Sequence, residues 1–221
     1  LKLQFPDLVV IADCCLCEYT VNGHCGLMDD SGVNHSATLE ALEKIALSYA
    51  QAGVDIIAPS GMMDGMVMSI RQALDSHNFE SISIMSYAVK YASHFYGPFR
   101  DAAGSGQFTG DRHHHQLSPT QSKEGVLEAV LDEQEGADFL MVKPAGFYLD
   151  MIKQLADQSD LPIVGYHVSG EYAMVQHAAA AGAIELLPAL IEIYMGMKRA
   201  GAQLIVSYAA QEIATYLQVN S

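Results

Sequence analysis

Three cysteines in one short loop and two lysines that each close an apolar run are the residues of this chain best suited to chemistry. The segment Asp13-Cys-Cys-Leu-Cys-Glu-Tyr-Thr-Val-Asn-Gly-His-Cys25-Gly offers thiols at Cys15, Cys17 and Cys25, with Cys14 and His24 as spares. A C-x-C pair puts two sulfurs on one side of an extended chain, and Gly23 and Gly26 let the loop bring Cys25 back as a third corner of a tetrahedron. Zinc suits such a donor set, and three thiolates leave a fourth position for water or substrate, which separates a catalytic site from a closed structural one. The competing reading is a group of small buried hydrophobes that happen to cluster. His24 is expected to point elsewhere.

Lys90 lies in Ser86-Tyr-Ala-Val-Lys-Tyr and Lys143 in Leu140-Met-Val-Lys-Pro. Burying an ammonium disfavours its charged form and pulls the pKa down from about 10.4, and a second lysine nearby pulls it further. A neutral amine is a nucleophile, and two of them near one site suit Schiff-base formation with a carbonyl substrate. Taken singly, either lysine also fits a snorkelling or ion-paired residue. The stretch from Phe95 through Gln116 is glycine- and aromatic-rich without helical or strand periodicity, as an active-site lid would be. Its Arg100 and Arg112 could grip a carboxylate bidentately, or simply be surface arginines of a solvated loop. His113, His114 and His115 point in successive directions and are expected to be exposed. Met62, Met63, Met66 and Met68 are expected to serve packing.

The elements that must position these groups alternate. Apolar, β-branched runs at Leu8–Ala12, Val54–Ala58, Ile82–Ser86, Phe139–Val142, Pro162–Tyr166 and Gln203–Ser207 read as buried strands. Leu39, Leu42, Ile45, Ala46 and Tyr49 line one face of a first helix. Val126, Leu127, Val130 and Leu131 line a later one, opened by Ser118 as N-cap and Pro119 at its first position. The pieces beginning at Gly53, Gly136 and Gly201 repeat one pattern, a helix-ending glycine running straight into a strand. Strands separated by helices predict a parallel sheet, and no GxGxxG or GxxxxGK[ST] favours a nucleotide-binding one. The polar residues cluster just after strand ends, where a (β/α)₈ barrel gathers them at one mouth. The expectation is an α/β TIM barrel, with residues 1–221 as one partial catalytic domain carrying about six βα units. The first two units are expected to lie upstream, in a longer protein of which this chain is a piece. Alone, with an open barrel edge, it is expected to be poorly stable or to aggregate.

Half of the 221 residues are hydrophobic and 17% are charged, and mean hydropathy is +0.15, so the chain is a folding one. Eleven Lys+Arg against 26 Asp+Glu give a formal charge of −15. That field argues against nucleic acid and anionic membrane surfaces as partners. No apolar run reaches the ~20 residues of a bilayer span and no signal peptide is evident, so a cytoplasmic location is expected.

Five stretches together resemble the 5-aminolevulinate dehydratase (porphobilinogen synthase) family along essentially the whole chain. They are the cysteine loop, Ala58-Pro-Ser-Gly-Met-Met-Asp-Gly, Tyr87 to Lys90 with Phe95-Tyr-Gly-Pro-Phe-Arg-Asp-Ala-Ala, Met141-Val-Lys-Pro-Ala, and Tyr166-His-Val-Ser-Gly-Glu-Tyr. The resemblance implies condensation of two molecules of 5-aminolevulinate to porphobilinogen with loss of water, in tetrapyrrole (heme) biosynthesis. It implies that Lys143 forms the Schiff base with the first substrate molecule, that Lys90 forms the second, and that Cys15, Cys17 and Cys25 hold a catalytic zinc. It assigns Arg100, Arg112, Gln116 and Phe99 to the lid over one substrate, Ser169 and Tyr208 to the other's carboxylate, and Ser60, Asp13 and Tyr166 to further active-site positions. Glu128 matches the acidic residue of an allosteric magnesium site, and the intact protein would be a homo-octamer. Two other readings stand beside it: a metal-free class I aldolase-type Schiff-base lyase, needing one lysine, and a non-catalytic zinc-binding fragment.

Overall fold

The computed structural model describes residues 1–21, 23–30, 32–102 and 116–220. In chain order the elements are β1 (Ile11–Cys14), β2 (Met28–Asp29), β3 (Gly32–Val33), α1 (His35–Gln51), β4 (Ile56–Pro59), α2 (Met66–Ser76) and β5 (Ser83–Lys90). A 3₁₀ turn (His94–Tyr96), α3 (Gly97–Ala102), α4 (Ser122–Gln134), β6 (Phe139–Lys143), α5 (Leu149–Gln158) and β7 (Ile163–His167) follow. The chain ends with α6 (Ser169–Ala180), α7 (Leu186–Ala200), β8 (Leu204–Ser207) and α8 (Ala210–Asn220). Six strands form one sheet in the order β1-β4-β5-β6-β7-β8. Every pairing in it is parallel, whereas β2 and β3 make a separate antiparallel ribbon. Spatial order equal to chain order, with helices between, is the pattern of a (β/α)₈ barrel, of which this sheet is the larger part.

All six strands read from the sequence are present. The first starts at Ile11 rather than Leu8. Leu8 and Val9 are exposed, and pairing begins only where the Val10 carbonyl accepts the Asp55 and Ile56 N–H groups at 3.0 and 3.2 Å. Helix α1 is capped by Asn34, whose side chain accepts the Ala37 N–H, and it buries Leu42 and Ala46 as expected. Gly53, Gly136 and Gly201 all have positive φ, which lets the chain leave each helix and enter the next strand without steric cost.

Helix α4 departs from expectation at both its start and its buried face. It begins at Ser122 with Gln121 as N-cap, because Ser118 and Thr120 pair their hydroxyls at 3.0 Å in a turn ahead of it. Its buried residues are Gly125 and Ala129, while Leu127, Val130 and Leu131 are exposed. Space decides this: a Cβ on Gly125 would already stand 3.0 Å from Val89 and 3.2 Å from Met151, so small residues take the sheet side. The expected lid is likewise not wholly irregular, since the 3₁₀ turn and α3 occupy 94–102. Arg112 and His113–His115 lie outside the described residues.

Side chains alternate across each strand. One face points into the barrel, where Ala58, Met85, Tyr87, Met141 and Val164 form a compact cluster. The other packs on the helices, in a larger core that includes Ile57, Ile84, Leu140, Ile163 and Leu42. Strand β5 breaks the alternation once. Ser86 pairs with Leu140 and Val89 with Val142, so β5 carries one residue more than β6 over that interval, a β-bulge. The bulge puts Tyr87 and Lys90, three positions apart, on the same inner face.

Candidate active site

The inner faces of the strands converge on a cavity of about 360 Å³ whose lining includes Asp13, Cys15, Cys17, Ser60, Lys90, Phe99, Lys143 and Tyr166. A second hollow shares Cys17, Lys90, Phe99, Lys143 and Tyr166 with it and adds Cys25, Gln116, Ser169 and Tyr208. Twelve separately placed sequence positions thus meet at one mouth, carried there by the carboxyl ends of six strands and the loops that follow them.

Lys90 and Lys143 close adjacent strands and are paired in register. The Lys143 Nζ stands 4.3 Å from the ring centre of Tyr166, 4.9 Å from Tyr87, 5.5 Å from Tyr96 and 5.7 Å from Phe99. Aromatic faces favour a cation by ~0.5–2 kcal/mol each, yet exclusion of water costs more. Burial, then the Lys90 charge, lowers the Lys143 pKa to about 7 against the opposing pull of Asp13, Cys15 and Cys17. Lys143 is therefore substantially neutral near neutrality, as a nucleophilic amine must be. Lys90 donates to the Ser60 carbonyl at 2.7 Å and lies 5.8 Å above Tyr87. Asp13 accepts from Ser60 Oγ at 2.8 Å and from the Tyr87 hydroxyl at 3.2 Å; burial and Cys15 raise its pKa against the pull of Ser60, Lys90 and Lys143.

The Sγ atoms of Cys15, Cys17 and Cys25 all lie within 4.8 Å of one another. Cys14 faces away, its Sγ directed to the Leu42 carbonyl, and His24 is turned inward on its own loop, accepting the Gly26 N–H at 2.9 Å. For Cys15 a hydrogen bond from Cys17 favours the thiolate, but its bond to Cys25 and burial raise the pKa on balance. Cys17 is raised by its hydrogen bonds to Cys15 and Cys25 and by burial. Three crowded sulfurs, two of which resist ionisation on their own, are a set that a soft divalent cation would stabilise as thiolates. The residues fit a metal.

Ser169 ties the neighbouring segment to α6: its Oγ accepts the Phe99 N–H at 3.1 Å and donates to the Phe95 carbonyl at 3.5 Å. Gln116 is buried and lines the second hollow, and its Oε1 has no hydrogen-bond partner among the described residues. Tyr208 stacks on Tyr172 with 6.1 Å between centroids. Arg100 rests over the Tyr96 ring at 5.6 Å and donates to the Ser93 carbonyl at 3.4 Å, and it is not among the residues lining either hollow. Glu128 is elsewhere, in a separate hollow on the outer side of the sheet with Asp64, Asp132 and Glu135. Burial and the charges of Asp64, Glu124 and Glu135 raise its pKa. Beside it, burial raises Asp132 to about 7, against a hydrogen bond from Ser86.

Sequence reasoning missed Tyr96 and Glu171. Tyr96 is buried and its hydroxyl donates to the carbonyls of Tyr91 at 2.8 Å and Lys143 at 3.2 Å, binding the two lysine-bearing loops together. Nothing in its neighbourhood, a stretch read as lid, marked it as core.

The fold and the site together define a (β/α)-barrel protein with a lysine-centred pocket at the carboxyl ends of its strands. The chain belongs to the delta-aminolevulinic acid dehydratase family, whose model matches residues 1–216. It is 52% identical over 213 residues to the delta-aminolevulinic acid dehydratase of Escherichia coli, covering 96% of this chain and 65% of that protein. With the Bacillus subtilis protein of the same name the identity is 52% over 217 residues, 98% of this chain and 67% of that one. A crystal structure of the Toxoplasma gondii enzyme in complex with its reaction product porphobilinogen superposes with a TM-score of 0.95 at 43% identity, over 98% of this chain and 62% of that one. The chain thus spans about two thirds of the length of these relatives.

Proposed function

We propose that this chain carries the catalytic pocket for condensing two molecules of 5-aminolevulinate to porphobilinogen, as a lyase of tetrapyrrole (heme) biosynthesis. The observation that carries the reading is the pairing of a buried amine of lowered pKa, Lys143, with a second strand-end lysine inside one cavity. Each amine can add to a substrate ketone and expel water to form an imine, and holding two such imines together removes most of the entropic cost of a bimolecular step. Ser169 and Tyr208 are proposed to hold the carboxylate of one substrate molecule. Gln116, Phe99, Arg100 and Arg112 are proposed to close over the other, with Asp13, Ser60 and Tyr166 shaping the inner wall.

Cys15, Cys17 and Cys25 are the proposed ligands of zinc, which when bound supplies Lewis-acid polarisation at the mouth of the pocket. Glu128 is the proposed magnesium ligand; its distance from the pocket suits a regulatory role. The intact protein is proposed to be a cytoplasmic homo-octamer, and residues 1–221 one partial barrel domain. Among the described residues no helix is long and apolar enough to cross a membrane.

Borohydride reduction in the presence of 5-aminolevulinate, followed by peptide mapping, tests the reading. An irreversible substrate adduct on Lys143 is the expected result. No adduct on Lys143 or Lys90, in this chain or in one extended at its N-terminus, overturns it.

A further inference from the structure

Glu171 is a carboxylate that the proposed chemistry leaves unused, and it is almost completely shielded from solvent, at 1% exposure. It lies in the first turn of α6, and its two oxygens serve different loops. Oε2 accepts the Val168 N–H at 2.8 Å, at the entry of the helix. Oε1 accepts the Gly146 N–H at 2.9 Å, in the turn that follows Lys143. The N–H groups of Phe147 and Ala145 also act on it, yet burial outweighs them all and raises its pKa to about 7. The fit is tight: a Cβ on Gly146 would stand 2.7 Å from Oε1. At the α6 end Val168 and Ser169 line the pocket, and at the other Lys143 lines it three residues before Gly146. Phe147 stacks on Phe95 at 4.9 Å, and Ser169, next to Val168, binds the backbone of Phe95 and Phe99.

We propose that Glu171 is a positioning residue for the Lys143 amine, its carboxylate gathering the turn after Lys143 and the entry of α6 onto one anchor and so keeping the amine inside its aromatic enclosure. The proposal deepens the reading of Lys143 as the reacting amine and rests on it. The charges acting most on Lys143 are Lys90, Asp13, Cys15 and Cys17; Glu171 works through the backbone.

Trace acetylation with acetic anhydride from about pH 5 to about pH 10, read by peptide mapping, gives the midpoint at which Lys143 becomes reactive without any substrate. E171Q keeps the shape but sets an amide NH₂ against backbone N–H groups. The expected result is a midpoint raised by about one pH unit as water reaches the amine. Loss of a distant negative charge alone would lower it, so the sign separates the two causes. G146A, which keeps the carboxylate but pushes it from its seat, is expected to shift the midpoint the same way, and E171D to restore part of it. A midpoint unchanged or lowered in the folded variants overturns the proposal; should E171Q not fold, G146A and E171D decide. A midpoint that rises as expected in a protein giving no borohydride adduct keeps the positioning role and removes the substrate reading.

Discussion

Lys90 and Lys143 face each other across β5 and β6 as register partners, and both amines lie over the single ring of Tyr87, at 5.8 and 4.9 Å. A cation at one site is therefore felt at the other through a wall that excludes water. K90M removes that charge and is expected to raise the midpoint of Lys143 acetylation by about half to one pH unit. A midpoint that falls or stays would show that burial alone sets Lys143.

The pH dependence of imine trapping follows from the same amine. Lys143 adds to a carbonyl only when neutral, so with a pKa of about 7 the rate of adduct formation is expected to climb about tenfold from pH 5 to 6, flattening above pH 7. A flat rate over that range would contradict it.

Lys143 also makes the fold sensitive to pH. Its folded pKa lies below the ordinary 10.5, so its contribution to stability is present above that value and is lost as pH falls to about 7. Below pH 7 the buried ammonium costs on the order of 5 kcal/mol. K143M is expected to be more stable than the wild-type protein at pH 6, by denaturant unfolding, with the gain shrinking as pH rises.

Asp132 carries the opposite sign. Its carboxyl is raised from 3.8 to about 7, so the stability tied to its neutral form is complete below about pH 4 and lost as pH rises to 7. D132N is expected to unfold at a higher temperature than the wild-type protein at pH 7.5 and at nearly the same temperature at pH 4.5. Equal differences at both pH values would rule this out.

Binding of the proposed zinc should be strongly pH-dependent, because hydrogen bonds to Cys25 and burial hold Cys15 and Cys17 above the ordinary thiol range and each ligand must lose its proton. Affinity measured by competition with a chromophoric chelator is expected to rise with pH. C25S is expected to weaken it by roughly a hundredfold, removing one of three thiols. Equal affinity in C25S would exclude Cys25 as a ligand.

Gly170 is the point where α6 meets the 94–102 segment. A Cβ there would stand 2.5 Å from the Phe95 carbonyl oxygen. Alanine normally gains a helix about 1 kcal/mol over glycine, but here the clash with backbone costs roughly 1–3 kcal/mol. G170A is expected to speed amide exchange at Phe99, whose N–H is held by Ser169, and an unchanged exchange rate would count against this docking.

Much of this architecture was legible because period and punctuation agree. Six short apolar runs with helix-period segments between them read as parallel strands, and the polar residues just past them favoured a barrel with one mouth; the edge strands β1 and β8 are less buried than that reading expected, with Ile11 and Leu204 exposed. The cysteine loop was legible from its spacing. Other features depended on tertiary space that a single sequence does not encode. Alternation alone puts Tyr87 and Lys90 on opposite faces, and the bulge reverses that. Apolar periodicity assigned Leu127, Val130 and Leu131 to the core, and close approach to Val89 and Met151 gave the place to Gly125. Glu171 carried no signal, since its partners are backbone groups from two loops distant in sequence.

The bulge in β5 gives the two lysines unequal robustness to changes in chain length. Strand β5 holds a surplus residue between Ser86 and Val89, so loss of Ala88 would restore regular pairing and leave Lys90 facing inward. Strand β6 has no such slack. Loss of Val142 would turn Lys143 outward toward the helices and empty the aromatic enclosure. The same one-codon deletion is therefore a local repair in one strand and the loss of the reacting amine in its neighbour.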